Sequence, residues 1–118
     1  MTNPDCVFCD KIAAGDFEYT DNGCVVFEPL NPVTPGHLLV VPIEHASNAV
    51  VDPNAGRAVE VATTVMRMRH VRSANIITSV GAEATQSVLH THIHIVPRRE
   101  GDGLTLPWTG QEKENSHV

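Results

Sequence analysis

Three histidines recur at every second position of the segment 89–96, which reads Leu-His-Thr-His-Ile-His-Ile-Val. Alternate side chains of a β-strand share a face, so a strand here places His90, His92 and His94 on one face, about 6.6 Å apart between neighbours. Three imidazoles are a poor choice for core packing, and as cations they repel one another. A solvated polar face and a three-histidine metal site are the alternatives, although a straight strand separates its first and third histidines too far for one ion. The pattern favours a catalytic or ligand-binding role.

An imidazole can attack phosphorus when one ring nitrogen keeps its lone pair and an acceptor holds the other nitrogen protonated. Neighbouring imidazoles can then donate hydrogen bonds to the phosphate oxygens, where negative charge accumulates during transfer. Gln86 and Ser87 immediately precede the histidine segment and offer further side-chain donors near the same face. These residue types favour phosphate-directed chemistry and leave the phosphate compound open.

Composition narrows the class of protein. The 118 residues suit one domain with its own core, here expected to span 1–118 with a short tail from about residue 107. A formal charge of −6 with only 8 Lys and Arg residues argues against binding a nucleic-acid polymer, which needs many cations to neutralise phosphates. The start of the chain lacks the features of a secretory signal, and no stretch is long and apolar enough for a membrane span. We expect a cytoplasmic protein.

The elements that must position the histidines can be read from apolar patterning. We predict strands over 24–27, 36–42, 74–79 and 88–96, the last two joined as a hairpin through 81–85. Asp52 and Pro53 predict the start of an amphipathic helix, with Asp52 as N-cap. Its buried face is expected to hold Ala58, Val61, Ala62, Val65 and Met68. Locally paired strands with one main helix indicate an α+β meander.

The segment QSVLHTHIHIVPR at 86–98 resembles the motif of the histidine triad (HIT) family of nucleotide hydrolases and transferases. The resemblance extends to PGHLLVVP at 35–42 and CVFC at 6–9, so it covers most of the chain. It implies an antiparallel sheet of about five strands, a homodimer, and a nucleotidyl-histidine intermediate on the middle histidine, His92. By the same resemblance a backbone carbonyl holds the other ring nitrogen of His92.

The resemblance also assigns roles to other residues. His94 is expected to contact the α-phosphate, Ser87 the phosphate or leaving group, and His37 to take part in proton handling. The nucleotide site is expected to include Phe8, Phe27 and Leu30 around the base, together with Ser79 and Gln86, although Phe8, Phe27 and Leu30 can equally be ordinary core residues. Ser79 stands where nucleotide-binding members often carry Asn, and Pro29 stands where many carry an Asp that binds the ribose hydroxyls.

Cys6 and Cys9 have the spacing of half a zinc site, and two ligands alone hold zinc weakly. The chain resembles bacterial HIT proteins that complete such a site with two histidines, which correspond to His45 and His90. A structural zinc ion on Cys6, Cys9, His45 and His90 is therefore expected. Two free thiols in a turn are the alternative; a thioredoxin-like redox pair lacks the preceding strand that it requires.

The leading functional hypothesis is an enzyme that acts at the α-phosphorus of a nucleoside phosphoramidate, acyl-adenylate or dinucleoside polyphosphate, most readily one with a purine nucleoside monophosphate moiety. The alternative is a nucleotide-binding or scaffold protein with little turnover, which the substitutions at Ser79 and Pro29 support. A metal-storage or redox role comes third, because the histidine triad is unbroken.

Overall fold

A computed structural model describes residues 3–109, which form two α-helices, a short 3-10 helix and one five-stranded sheet. In chain order the elements are α1 (Val7–Ala13), β1 (Tyr19–Asp21), β2 (Cys24–Phe27), β3 (Leu38–Pro42), α2 (Ala55–Met68), β4 (Ala74–Ile77), the 3-10 helix (Ala82–Ala84) and β5 (Ile93–Pro97). The strand order is β1-β2-β3-β5-β4, and every neighbouring pair is antiparallel. The predicted α+β class with a five-stranded antiparallel sheet is confirmed. Within the described residues, no helix is both long and apolar enough to cross a membrane.

The central strands β2 and β3 are buried on both faces of the sheet, which explains why they are apolar at every position. On one face, side chains of the strands pack against the apolar stripe of α2 around Val40, Val61 and Ile95. On the other face, a second apolar cluster packs between α1 and the sheet. It includes Phe8 of α1 together with Phe27 and Leu39, which alternate along their strands with the residues that face α2. The first face stabilises the sheet, and the second carries the polar chemistry described below.

The main helix differs from its prediction at both ends. Asp52 is not its N-cap: the helix begins at Ala55 after Asn54, and the Asp52 carboxylate instead accepts the Asn54 backbone N–H at 2.7 Å in the preceding turn. The prediction of a buried Met68 is wrong, because this residue, the last of the helix, is 52% exposed. The other four predicted positions, Ala58, Val61, Ala62 and Val65, are buried against the sheet as expected.

The histidine segment differs most from its prediction, because β5 begins at Ile93 and not at residue 88. The backbone groups before it bond elsewhere: the Thr91 N–H donates to the Ala46 carbonyl at 2.9 Å, and the His92 carbonyl accepts the Thr78 hydroxyl at 2.9 Å. Residues 88–92 therefore form an irregular segment, and the three histidines do not line one face of a regular strand. Only His94 projects from β5 itself.

Smaller differences concern the ends of other elements and the connection between β4 and β5. β3 begins two residues later than predicted and β4 ends two residues earlier, while 81–85 includes a 3-10 turn. The helix α1 and the strand β1 have no counterpart among the elements predicted from the sequence. Of the predicted C-terminal tail, 107–109 form a turn and the remainder lies outside the described residues.

On the face of the sheet that α2 covers, shortening a central side chain should cause a large loss of stability. Val40→Ala removes two buried carbons from a fully buried position, and we expect it to lower the free energy of unfolding by about 2 kcal/mol. The matched control is Val50→Ala, at a position that is 79% exposed, where little change is expected. Urea denaturation of both variants measures this difference, and equal stability losses would contradict the assigned core.

Candidate active site

His92 lies on the α1 side of the sheet with one ring nitrogen fixed by the backbone. Its Nδ1 is 2.8 Å from the carbonyl oxygen of His90. A carbonyl only accepts hydrogen bonds, so Nδ1 carries the proton and donates it, which leaves the lone pair on Nε2. Phe8 packs edge-on against the His92 ring at a centroid distance of 5.1 Å and restricts its orientation. The result is an oriented imidazole whose Nε2 carries the lone pair and makes no hydrogen bond to other residues of 3–109.

His37 and His94 form a second polar unit whose protonation is also set from the backbone. The Val33 N–H donates to His37 Nδ1 at 3.1 Å, so the proton of neutral His37 is on Nε2. That Nε2 lies 2.9 Å from His94 Nδ1, which must then accept. The remaining proton of His94 is on Nε2, and His94 is thereby prepared as a donor. Its ring centre is 5.2 Å from that of His92.

Burial keeps this histidine pair neutral. Loss of solvent lowers the pKa of His94 from its usual 6.5 to about 4, and the neighbouring His92 and His37 lower it further in the same direction. Burial also lowers the pKa of His37. The donor facing the site is therefore a neutral imidazole N–H at physiological pH.

His92 and His94 open into a cavity of about 580 Å³ between α1, the end of β2 and the segment before β5. Phe8 and Phe27 form one wall, with ring centroids 5.4 Å apart in an edge-to-face arrangement. Ser87 lies at the rim of the same cavity. The cavity is large enough for a mononucleotide and combines apolar walls with converging imidazoles, as ligand sites commonly do.

The other residues predicted for the nucleotide site, Leu30, Gln86 and Ser79, differ in their positions relative to this cavity. Leu30 lines the cavity mouth but is 96% exposed, so it does not form a packed wall. The side-chain amide of Gln86 is buried and committed to the backbone of its own segment: it donates to the Ser47 and Val88 carbonyls and accepts the Gly81 N–H. Ser79 is half-buried and is not among the residues that line this cavity.

Several lining residues were not identified from sequence, among them Leu39, Val88, Lys11 and Glu28. Leu39 was available from periodicity, because it lies two positions after His37 and the extended pattern predicted over 36–42 places both on one side. Lys11 follows Phe8 by three residues and shares its side of α1, but that required recognising 7–13 as a helix. Val88 and Glu28 come from irregular segments, for which the sequence offers no comparable signal.

Beside this cavity, Cys6, Cys9, His45 and His90 converge, as predicted from the resemblance. The four candidate ligand atoms, two Sγ and two Nδ1, all lie within 4.8 Å of one another, an arrangement that can hold a metal ion. Cys6 caps α1, and its sulfur accepts the Cys9 backbone N–H at 3.4 Å. His90 is fully buried, and its Nε2 donates to the Pro42 carbonyl at 2.7 Å, so the lone pair is on Nδ1 and faces the cysteines.

The spacing of these atoms fits a tetrahedral zinc ion. Zinc–sulfur and zinc–nitrogen bonds of ordinary length predict tetrahedral edges of about 3.6 Å between sulfur and nitrogen and about 3.3 Å between two nitrogens. His90 Nδ1 is 3.3 Å from Cys6 Sγ and 3.6 Å from Cys9 Sγ, and it is 3.1 Å from His45 Nδ1. Burial raises the pKa of Cys6, so a cation is needed to favour the thiolate here.

Comparison with known proteins identifies the family that the sequence motifs resemble. The family model described as the HIT domain matches residues 13–101. A protein of Arabidopsis thaliana named "Adenylylsulfatase HINT3" is 34% identical over a region that covers 85% of this chain and 55% of that protein. The chain thus spans about half the length of that relative.

Solved structures agree with the fold. A HIT family hydrolase from Clostridium thermocellum has a TM-score of 0.74 and 25% identity, covering 89% of this chain and 100% of the other. A zinc-bound histidine triad family protein from Mycobacterium smegmatis has a TM-score of 0.70 and 32% identity, with coverage of 86% and 81%. With its family-model match spanning most of the sequence and with His92 and His94 lining one cavity, this chain belongs to the HIT domain family.

Proposed function

We propose that this single-domain protein is a nucleotide hydrolase or nucleotidyl transferase that acts at an α-phosphorus through a covalent intermediate on His92. The observation that carries the proposal is the hydrogen bond from His92 Nδ1 to the His90 carbonyl, which leaves Nε2 free beside the 580 Å³ cavity. Its substrate is a nucleoside phosphoramidate, acyl-adenylate or dinucleoside polyphosphate. The relatives that are named hydrolase and adenylylsulfatase support phosphate-ester or anhydride chemistry.

In the first step the Nε2 lone pair of His92 forms a bond to phosphorus, and the bond to the leaving group breaks with its electron pair. The modified ring then carries positive charge, which the His90 carbonyl stabilises through the Nδ1 proton. In the second step water or another acceptor attacks phosphorus, and the electron pair returns to Nε2. For hydrolysis, one proton of the water ends on the leaving group and the nucleoside monophosphate is released.

The Nε2–H of His94 donates a hydrogen bond to a phosphate oxygen and keeps its proton, and His37 maintains that donor through the 2.9 Å bond between the two rings. Ser87 at the rim donates to the phosphate or the leaving group. Phe8 and Phe27 form the apolar wall on which the base packs, and Leu30 covers it from the mouth. Gln86 supports the segment that carries Ser87 through its backbone bonds, and Ser79, which does not line the cavity, is given no substrate contact.

We also propose that Cys6, Cys9, His45 and His90 bind one zinc ion. Bound there, zinc would supply a structural crosslink held by these four side chains. His90 connects that site to the nucleophile, because its side chain faces the metal ligands while its carbonyl holds His92. His90 would then act by positioning rather than by contact with the substrate.

A homodimer is part of the proposal. The sheet ends at β4, which pairs only with β5 among residues 3–109 and exposes Ile76 and Ile77. Val59 and Met68 of α2 are exposed as well, so apolar side chains are available on the edge strand and on the helix. Light scattering at micromolar concentration tests this association, and a monomeric mass would contradict it.

Replacement of the nucleophile should separate catalysis from binding. We expect His92→Asn to lower kcat for a nucleoside phosphoramidate by at least about 10⁴-fold, because no lone pair of comparable reactivity replaces Nε2. Affinity for the nucleoside monophosphate should change little. His70→Asn is the matched control, at an exposed histidine with φ of 57° that Asn also tolerates. Retained turnover in His92→Asn would contradict the mechanism, whereas tight binding without turnover in the unmodified protein would favour the binding-protein alternative.

The buried pair also predicts a pH dependence of stability. In the unfolded chain His94 regains its usual pKa of 6.5, while in the folded protein its pKa is about 4. Between these values the unfolded chain binds more protons, so stability is full above pH 6.5 and falls as the pH drops toward 4. Melting temperature measured against pH follows this loss of stability, and His94→Asn should make the decrease at low pH smaller. The same variant should lower kcat about 10²–10³-fold, because it removes a donor to the phosphate. An unchanged pH dependence in the variant would contradict burial of a neutral His94.

Removal of one thiol tests the metal site. We expect protein purified without added metal or chelator to contain one zinc per chain by elemental analysis, and Cys6→Ala to lose it and to melt at a lower temperature. Cys24→Ala is the matched control, because Cys24 is fully buried in the opposite cluster and away from these ligands. Zinc-free protein with Cys6 and Cys9 as free thiols would refute the assignment.

A further inference from the structure

The mouth of the active-site cavity carries two opposite charges, Lys11 and Glu28. They come from different elements: Lys11 is on α1, and Glu28 directly follows β2. Among residues 3–109 the carboxylate of Glu28 has no ion pair, and Lys11 pairs instead with Asp16 outside the cavity. Both charges therefore line one cavity without neutralising each other.

Lys11 is placed over an aromatic wall of that cavity. Its Nζ lies 4.8 Å from the ring centroid of Phe27, and Phe27 packs against Phe8. In the Asp16 pair, at 2.8 Å, the side chains of Lys11 and Asp16 are 30% and 69% exposed, and such a solvent-accessible ion pair restrains the ammonium group weakly. A hydrogen-bond acceptor on a ligand at the mouth can therefore bind the Lys11 ammonium group with only a small loss of free energy from the Asp16 pair.

We infer that Lys11 and Glu28 select a guanine base, so that the preferred substrates carry a guanosine monophosphate moiety. The inference rests on the proposed nucleotide function and deepens it. Guanine presents two acceptors, O6 and N7, on one edge, which suit a lysine ammonium group. Its N1–H and N2 amino group are donors on the adjoining edge, which suit a carboxylate. One cation and one anion at the mouth match this pattern.

Adenine matches the pair less well. It carries an amino donor at position 6, where guanine has an acceptor, so this group faces Lys11 without a hydrogen bond. Hypoxanthine keeps O6 and N1–H but lacks the N2 amino group, so it satisfies Lys11 and only part of Glu28. The expected order of affinity is GMP above IMP above AMP. A well-placed pair of hydrogen bonds to a base edge predicts a preference for GMP over AMP of about tenfold at this partly exposed site.

Titration calorimetry of the full chain with GMP, IMP and AMP tests the inference. Lys11→Met keeps the length of the side chain and removes its charge, and it should reduce the GMP preference over AMP to less than about threefold. Glu28→Gln should bring GMP affinity down to that of IMP. Asp16→Asn is the control for Lys11, and Glu83→Gln, at an exposed acid on the 3-10 turn, is the control for Glu28. Neither control should change the order.

The outcomes distinguish this inference from the function on which it rests. Melting temperatures first establish that the variants are folded, as expected for side chains at the cavity mouth. Equal affinity for GMP and AMP, or a GMP preference that survives Lys11→Met, overturns the assignment of base selectivity and leaves the nucleotide function standing. Failure of all three nucleotides to bind overturns both.

Discussion

The hydrogen bond between His92 Nδ1 and the His90 carbonyl is the interaction on which the site depends. At 2.8 Å it fixes the position of the proton on the imidazole and leaves Nε2 available. The same residue, His90, is fully buried and bonded through its ring to the Pro42 carbonyl. The orientation of the His92 ring is therefore tied to β3 through one intervening residue, and a shift of His90 would be transmitted directly to His92.

Backbone groups rather than charges set the protonation pattern of the histidines. The Val33 N–H determines which nitrogen of His37 is protonated, and His37 in turn determines the donor nitrogen of His94. Because burial lowers the pKa of both rings, the pattern persists without a counter-ion near neutral pH. This arrangement presents a lone pair and an N–H side by side, which a phosphate in transfer requires. A histidine pair in water would exchange these roles freely.

The sequence predicted the elements that depend on local pattern and failed where distant groups intervene. β2 was predicted to the residue, since Gly23 and Pro29 bound an apolar run. The histidine segment alternates like a strand, yet Ala46 and Thr78 take the backbone bonds of Thr91 and His92, and nothing near residue 90 in the sequence indicates this. The convergence of Cys6, Cys9, His45 and His90 was expected from resemblance alone; spacing suggested only the cysteine half.

The central claim is that His92 Nε2 attacks phosphorus, and trapping the intermediate tests it most directly. A nucleoside phosphoramidate labelled in the nucleotide is mixed with the protein, quenched within one turnover without acid, and digested for peptide mapping. We predict the label on the peptide that contains His92, at a nitrogen-linked and acid-labile bond, and its absence from His92→Asn. Label on His94 or His37, or rapid turnover with no covalent label at any quench time, would contradict the account.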